Sequence, residues 1–274
     1  MGKIITNRHM GEDFYLLTVE ADEAARAAEP GQFCMLRTGG AGEDYPLLSR
    51  PISIFDAGKT AEGVGTLSFL YKKVGKGTDL LTRKKPGEEL ELRGPFGHGF
   101  PKNVAGRVAL VGGGVGIAPL HLYAKYLRNA PAVDTVDIYL GYSGSPILQE
   151  AFEAQADRLR VNIGGFVTDD VSPMPYDAII TCGPEIMMRV LYRKCMNCGA
   201  GSRLWVSMEK RMACGIGICK VCTCFTADGT KTACKDGPVF RADEVFYDER
   251  ERMEEEMLRE AAKRGCGAEQ EADA

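Results

Sequence analysis

The sequence lacks the features that define several large classes of protein. It contains no long run of basic residues and carries a formal net charge of −4, which argues against a nucleic-acid-binding protein. No window approaches the length of a membrane span, and the N-terminal MGKIITNRHM has no apolar stretch of signal-peptide length. We therefore expect a cytoplasmic protein. The match of MGKIIT to the short myristoylation pattern is attributed to chance.

Histidine is scarce in this chain, whereas cysteine is plentiful. The three histidines, His9, His98 and His121, are scattered and have no cysteine or carboxylate companion, so we assign them no ligand set. The chain has ten cysteines. In a reducing compartment, clustered thiols bind metal or carry out redox chemistry more often than they form disulfides. Half of the ten lie between Cys214 and Cys234.

The length of the chain and the pattern of its predicted strands and helices indicate an α+β protein with several domains. The 274 residues exceed one typical domain, and 45% apolar residues suffice for ordinary cores. Residues 1–100 have strand patterns separated by Gly/Pro turns, as in GTLSFLYKKV (65–74), and favour a small antiparallel barrel or sandwich. Over residues 101–205, strands alternate with helical segments, which predicts a mainly parallel sheet with helices on both faces. A cysteine-rich domain at 206–248 and a charged tail of unassigned role at 249–274 follow.

The spacing of the cysteines in ACGIGICKVCTCF (213–225) indicates an iron–sulfur cluster. C-x4-C-x2-C with a distant fourth cysteine is the plant-type pattern for [2Fe–2S]. Gly215 and Gly217 permit backbone conformations and close approaches that side chains would obstruct. Amide groups of such a loop can donate hydrogen bonds to the sulfurs. The predicted ligands are Cys214, Cys219, Cys222 and Cys234.

Structural zinc is the competing interpretation of these cysteines. Zinc sites more often have two short cysteine pairs on separate knuckles, and here only Cys219-x2-Cys222 forms such a pair. The spacing therefore favours iron–sulfur over zinc. Cys224 is a fifth candidate because Cys222-Thr223-Cys224 is also tight, but the plant-type spacing uses Cys222 and leaves Cys224 as a packed neighbour.

The remaining thiols that we considered have structural interpretations. Cys34, in GQFCML, is predicted to lie in the core, because cysteine is often buried. Cys195-x2-Cys198 is half of a zinc knuckle without a second half, so we interpret it as two packed or half-exposed thiols.

Two further motifs are weak when taken alone. GGGVGIAP follows an apolar strand and opens a helix, so its amides suit the phosphates of a dinucleotide. Ile117 stands where G-x-G-x-x-G has its third glycine, and a simple strand-to-helix turn explains this segment equally well. In RPISIFD (50–56), Arg50 suits phosphate and Ser53 suits the edge of a ring, although a surface salt bridge would explain this arginine as well.

Together these motifs resemble a known superfamily. RPIS, LYKKVGKGT (70–78), GPFGHGF (94–100), the glycine turn and TCGPEIMM (181–188) come in the order seen in ferredoxin–NADP reductases. MEKRMACGIGICKVCTCF…ACKDGPVF is similar to the iron–sulfur domain of the electron-transfer subunits of NAD-dependent, class B dihydroorotate dehydrogenase. The resemblance covers roughly residues 1–248. It implies an antiparallel β-barrel that holds FAD, a Rossmann-like sheet that holds NAD, and a small [2Fe–2S] domain.

The resemblance also implies which residues bind the two nucleotides. Arg50 would contact the FAD pyrophosphate and Ser53 the isoalloxazine, while Gly77 and Thr78 match a phosphate-binding pair. The implied FAD contacts are Arg50, Pro51, Ile52, Ser53, Leu70, Tyr71, Lys72, Gly77 and Thr78. The implied NAD-side residues are Gly112, Gly113, Gly114, Gly116, Cys182, Gly183 and Pro184. Cys182 also has a simpler interpretation, as a buried cysteine that ends the strand AIIT.

The implied function is electron transfer. Flavin accepts two electrons together and releases them singly, as an iron–sulfur cluster requires, and the protein supplies position and tuning. In the family, electrons come from a separate FMN-containing catalytic subunit that oxidises dihydroorotate for pyrimidine biosynthesis, and they leave to NAD⁺. The expected assembly is a heterotetramer of two such subunits and two catalytic ones, and no catalytic acid, base or nucleophile is expected on this chain.

Several points remain open at the level of sequence. Ile216, Ile218 and Val221 in the cluster loop would form a docking surface or shield the cluster from water. NAD rather than NADP follows from the resemblance alone. The alternative functions are the small subunit of an NADH-dependent ferredoxin:NADP oxidoreductase, a sulfhydrogenase gamma-type reductase, and a non-catalytic electron carrier or zinc-stabilised interaction module.

Overall fold

The computed structural model describes residues 1–39, 46–249 and 251–253. The strands in these ranges are β1 (Gly2–Gly11), β2 (Phe14–Glu20), β3 (Phe33–Leu36), β4 (Arg50–Ser53), β5 (Asp56–Lys59), β6 (Gly65–Lys72), β7 (Glu89–Leu90), β8 (Leu92–Phe96), β9 (Gly106–Gly113), β10 (Val133–Tyr142), β11 (Arg158–Ile163), β12 (Ala178–Cys182), β13 (Leu204–Ser207), β14 (Thr223–Thr226), β15 (Gly229–Thr232) and β16 (Val239–Arg241). The α-helices are α1 (Asp22–Ala27), α2 (Lys76–Thr82), α3 (Ala118–Arg128), α4 (Gln149–Glu153), α5 (Glu185–Asn197) and α6 (Ala242–Val245). Most of the charged tail predicted at 249–274 lies outside the described residues.

The N-terminal strands form two antiparallel sheets, with orders β5-β6-β2-β1-β7 and β4-β3-β8. Side chains of β6 alternate between two cores, as the period of a strand requires. Leu67, Phe69 and Tyr71 pack with one hydrophobic cluster, whereas Leu70 packs with the cluster that contains α3. The domain therefore has its own core and also contributes a face to the rest of the molecule.

The chain crosses from the small sheet to the large one at Ile54 and Phe55. The amide of Ile54 donates to the carbonyl of Gln32, at 3.0 Å, and the amide of Phe55 donates to that of Ser68, at 2.8 Å. Among the described residues these are single bonds at a crossing point, and no ladder of strands joins the two sheets into a closed barrel.

A six-stranded sheet forms the middle of the molecule, with order β11-β10-β9-β12-β13-β16. Its strands are parallel except β16, which runs antiparallel to β13. Val108 and Leu110 of β9 pack with residues of α3, while Ala109 and Val111 pack with residues of α5. The two helices therefore cover opposite faces of the sheet.

The cysteine-rich segment lies between two neighbouring strands of that sheet. β13 extends through Ser207, the chain then forms the cluster loop and the β14–β15 hairpin, and β16 returns to pair with β13. Trp205 is opposite Arg241, and Ser207 is opposite Val239. The domain boundary predicted at 205/206 thus falls within β13, and the division into domains stays a prediction. No helix in the described ranges is long and apolar enough to span a membrane.

Candidate functional site

The glycine turn and the C-G-P segment meet at the carboxyl edge of the parallel sheet. Gly113 ends β9 and Cys182 ends the neighbouring strand β12. A β-carbon on Gly116 would lie 2.4 Å from the carbonyl oxygen of Cys182, so this close approach requires a glycine. Gly183, with φ +153°, packs on the backbone of Gly113. The structure therefore brings together the two segments assigned to NAD, at the edge where open α/β sheets bind ligands.

Cys182 is a buried, neutral side chain at this edge. Its exposed fraction is 1%, and burial, followed by the nearby carboxylate of Glu209, raises the pKa of its thiol above the ordinary range. A thiol of this kind is no nucleophile at neutral pH. It can form a wall of the site but cannot supply covalent chemistry.

Arg50 and Gly77, both assigned to FAD phosphates, are in contact although 27 positions separate them in sequence. A β-carbon on Gly77 would lie 2.4 Å from Nε of Arg50, so the guanidinium rests on the bare backbone at the start of α2. The hydroxyl of Thr78 accepts from the amide of Val74 at 2.9 Å and donates to the carbonyl of Gly75 at 3.0 Å. Thr78 thus holds the loop, and Arg50 supplies the charge.

The stretch from Leu70 to Lys72 lies at an open edge of β6. β5 pairs with β6 only as far as Ser68, so the outer side of the following residues has no strand partner in the described chain. The side chains of Leu70 and Tyr71 are buried, and the Tyr71 phenol donates to Oδ1 of Asn7 at 3.0 Å. Neither the ring face nor the phenol of Tyr71 is offered to a ligand. At this edge, backbone groups and the half-buried side chain of Lys72 are the groups left accessible.

The cluster loop directs amides at two of the predicted ligand sulfurs. The amides of Ile216 and Cys219 lie 3.5 Å from Sγ of Cys214, and the amide of Gly217 lies 3.0 Å from Sγ of Cys234. The amides of Cys219 and Ile216 lower the pKa of Cys214 to about 6, which favours its thiolate. Burial, with the adjacent Cys222 thiol, raises the pKa of Cys234 to about 11.

The four predicted ligands associate as two pairs. The thiol of Cys214 interacts with that of Cys219, and the thiol of Cys234 interacts with that of Cys222 and, more weakly, with that of Cys214. Two cysteine pairs at one loop suit two irons, each held by two thiolates, better than a single zinc ion. The residues present therefore fit a [2Fe–2S] cluster.

The other cysteines of the described chain lie apart from this loop or in the core beside it. Cys224, on β14, is buried, and burial raises the pKa of its thiol to about 11, as expected of a packed neighbour. Cys34 and Cys195 are fully buried, and half-buried Cys198 donates to the carbonyl of Cys195 at 3.4 Å.

The cluster loop packs against the FAD-side strands. A β-carbon on Gly215 would lie 2.9 Å from Cγ of Met35, and Met35 on β3 is opposite Pro51 of the RPIS strand. On the other side of the loop, Ile216, Ile218 and Val221 are 50%, 75% and 55% exposed. One face of the loop is therefore internal, and the opposite face presents apolar side chains to the surroundings.

Sequence reasoning did not identify several contributors to these sites. The amide donor at Gly217 and the packing of Gly215 on Met35 depend on tertiary contacts, although the two glycines themselves were a signal. The amide of His98 donates to the carbonyl of Gly237 at 2.6 Å, which joins GPFGHGF to CKDGPVF. The carboxylate of Glu12 accepts a hydrogen bond from the amide of Ser145, just after β10, and no sequence pattern marks this contact.

Comparisons with known proteins agree with this arrangement. Residues 209–246 match the model of the iron–sulfur cluster binding domain of dihydroorotate dehydrogenase B. The chain is 40% identical over 255 residues to the dihydroorotate dehydrogenase B (NAD(+)) electron transfer subunit of Clostridium acetobutylicum, covering 90% of this chain and 97% of that protein.

Solved structures show the same fold. An NADH-dependent reduced ferredoxin-NADP oxidoreductase, studied for flavin-based electron bifurcation, superposes with a TM-score of 0.79 at 30% identity and 91% coverage of both chains. A ferredoxin NADP⁺ reductase from Neisseria gonorrhoeae superposes with a TM-score of 0.58 at 16% identity, covering 72% of this chain and 90% of that one. The expected ferredoxin–NADP reductase fold with an iron–sulfur domain is confirmed. The chain belongs to the family of dihydroorotate dehydrogenase B (NAD(+)) electron transfer subunits.

Proposed function

We propose that this chain passes electrons from the FMN of a dihydroorotate-oxidising catalytic subunit, through a [2Fe–2S] cluster and FAD, to NAD⁺. The observation that carries this proposal is the contact of the cluster loop with the FAD-side strands, through Gly215, Met35 and Pro51. It puts the proposed one-electron centre against β3, the strand that pairs with the RPIS strand proposed to hold the flavin. Residues 1–100, which form a barrel in the family, would bind FAD. Residues 101–205, in the parallel sheet, would bind NAD. The cysteine-rich segment, 206–248, would hold the cluster.

On the FAD side, the chain supplies charge and a fixed backbone. Arg50 lies over the bare backbone of Gly77, so its guanidinium is positioned to pair with a pyrophosphate in a bidentate manner. Ser53 ends the same strand and offers a hydroxyl to a ring edge. Thr78 fixes the loop by hydrogen bonds to its own backbone. Bound flavin supplies the conversion between hydride transfer and single-electron transfer.

On the NAD side, the chain supplies close packing and protection from side reactions. Gly112 and Gly113 end β9, and Gly114 and Gly116 form the turn that opens α3, where backbone amides suit phosphate oxygens. Gly183 and Pro184 lie against this turn and narrow the edge of the sheet. The neutral, buried thiol of Cys182 excludes water at this edge without offering a base.

At the cluster, Cys214 and Cys219 would hold one iron, and Cys222 and Cys234 the other. Amides donated to the sulfurs stabilise negative charge on them, which tunes the potential. The exposed Ile216, Ile218 and Val221 favour docking over shielding, because a shielding side chain would be buried over the sulfurs. The catalytic subunit would bind this face in a heterotetramer of two plus two, in the cytoplasm.

A second function has support from one comparison. The 30% identical structural relative is an NADH-dependent ferredoxin-NADP oxidoreductase, so a ferredoxin-linked partner is the alternative. The electron-transfer chemistry on this chain would be the same in both cases. Only the partner would differ.

Reconstitution tests the proposal. Anaerobically purified protein should contain about two irons, two sulfides and one FAD per chain, and NADH should bleach its visible spectrum. Added catalytic subunit should then produce NADH from NAD⁺ and dihydroorotate. Zinc without flavin would overturn the proposal in favour of an interaction module, and reduction of ferredoxin without coupling to dihydroorotate would establish the alternative.

Cys219→Ser separates the two halves of the electron path. This variant should keep FAD and NADH-dependent reduction of a two-electron dye, because the thiol belongs to the cluster only. It should lose coupling to the catalytic subunit. Full coupling without a cluster would remove the cluster from the path.

A further inference from the structure

The end of β10 lacks a residue that dinucleotide-binding folds commonly place there. In the βαβ unit formed by β9, α3 and β10, an acidic side chain after the second strand hydrogen-bonds the ribose of NAD. Here β10 ends at Tyr142 and is followed by Ser143, Gly144, Ser145 and Pro146, none of which is acidic. This chain must recognise the ribose in another way or from another element.

Glu12, in the turn between β1 and β2, brings a carboxylate to this position from the other sheet. Its Oε1 accepts a hydrogen bond from the amide of Ser145 at 3.1 Å. A β-carbon on Gly144 would lie only 1.8 Å from the same oxygen, so the contact depends on the absence of a side chain there. Glu12 adopts φ +46°, a left-handed conformation that is uncommon for a residue other than glycine.

Glu12 borders a gap between the N-terminal sheet and the parallel sheet. Glu12, Lys72, Gly114 and the residues at 143–145 line a small cavity of about 50 Å³ between the two sheets. Gly114 belongs to the glycine turn, so the carboxylate is close to the site assigned to phosphates. Lys72, the other charged side chain of this lining, has Nζ above the ring of Phe14, 5.2 Å from its centroid.

We propose that Glu12 determines specificity for NAD(H) over NADP(H) by accepting hydrogen bonds from the adenosine ribose hydroxyls. A carboxylate held on the amide of Ser145 keeps a free oxygen for a hydroxyl donor. It repels a 2′-phosphate, which carries negative charge and offers no proton for such a bond at neutral pH. This inference rests on the proposed use of NAD.

Binding of nonredox fragments tests the role of Glu12. The probes are ADP-ribose and 2′-phospho-ADP-ribose, titrated calorimetrically into the full chain loaded with flavin and cluster. The unmodified chain should prefer ADP-ribose. Glu12→Gln retains an acceptor for Ser145 but removes the charge, and it should reduce the preference about tenfold, as expected for losing a charge-assisted contact and a like-charge repulsion. Glu12→Lys should reverse the preference.

Gly144→Ala gives an independent test because it displaces the carboxylate without removing it. The added methyl group would lie 1.8 Å from Oε1, so the flexible Glu12 side chain would have to move away. We expect the same loss of preference as in Glu12→Gln. Asp13→Asn, which removes a carboxylate from the same turn, should leave the preference unchanged.

The outcomes distinguish this inference from the function on which it rests. If the unmodified chain binds neither fragment, the proposed use of a nicotinamide dinucleotide fails. If it prefers ADP-ribose and both Glu12→Gln and Gly144→Ala retain the full preference, dinucleotide binding stands and the role of Glu12 is wrong.

Discussion

Arg50 lies with its guanidinium against the backbone of Gly77, where a β-carbon would come within 2.4 Å of Nε. The contact links β4 to the start of α2, so the position of the charge depends on the absence of a side chain at residue 77. A phosphate-binding arginine is effective only when its fork is held in place.

Gly77→Ala should therefore weaken FAD binding. The added methyl group displaces the guanidinium, and overpacking of this kind typically costs about 1–3 kcal/mol. We expect the flavin-to-protein ratio after purification to fall, with a dissociation constant about tenfold higher or more. Gly75→Ala is the matched control, because a β-carbon there meets no atom within 4 Å. Equal flavin retention in both variants would contradict the role given to this contact.

The choice of Cys222 over Cys224 as a ligand gives a second prediction. Cys222→Ser should lose the cluster, because its thiol belongs to the pair formed with Cys234. Cys224→Ser should retain about two irons and two sulfides per chain, since Cys224 is a packed side chain on β14. Iron and sulfide assays with the visible spectrum measure both. Loss of the cluster in Cys224→Ser with retention in Cys222→Ser would reverse the assignment.

The exposed face of the cluster loop gives a third prediction. Ile218→Glu should weaken binding of the catalytic subunit at least about tenfold, because a charge would be buried in an apolar contact. Iron, sulfide and FAD contents should not change, since this side chain is 75% exposed in the chain alone. Met174→Glu, at an apolar residue that is outside the cluster loop and 61% exposed, is the control. Analytical ultracentrifugation of the mixed subunits would show whether the two variants differ as expected.

The buried His121 predicts acid sensitivity of the contact between α3 and the strand crossing. Its ring stacks on Phe55 at 4.2 Å, and burial lowers its pKa, with Asp56 offsetting only part of this effect. In the unfolded chain the pKa of the imidazole is about 6.5, above its folded value. As the pH falls below about 6.5, the unfolded state therefore binds the proton more readily than the folded state, and stability is lost.

Urea unfolding at about pH 7.5 and about pH 5.5, on either side of that unfolded value, tests this prediction. His121→Gln should show a smaller loss of unfolding free energy between the two conditions than the unmodified chain. His98→Gln, at an exposed histidine, serves as the control and should retain the full loss. An identical loss in all three proteins would exclude His121 as its source.

The cluster and the order of the elements could be predicted from the sequence because each depends on local spacing, whereas the superfamily is inferred from the resemblance of the motifs and their order. Cys214, Cys219 and Cys222 lie in one short loop, and their spacing along the chain follows from the geometry of the cluster that they would bind. The strand–helix alternation after Arg107 likewise follows from local periodicity. The roles of individual nucleotide-binding residues stay predictions.

The remaining features arise from contacts that no local pattern encodes. The burial of Tyr71 against Asn7 depends on the register of β6 on β2 and of β2 on β1, which a sequence motif cannot show. The two N-terminal sheets were expected as a barrel or sandwich, yet whether such strands close depends on long-range pairing. The approach of Glu12 to Ser145 joins residues 133 positions apart.

The antiparallel pairing of β16 with β13 makes the iron–sulfur segment an insertion between adjacent strands of one sheet. Because both ends of the insertion are hydrogen-bonded into that sheet, it has no single hinge about which to swing. The spacing between the sulfurs of the cluster loop and the carboxyl edge of β9 and β12 is thus set by the sheet. Electrons would travel over a constant distance in every turnover, in contrast to carriers whose redox domains are tethered by a flexible linker.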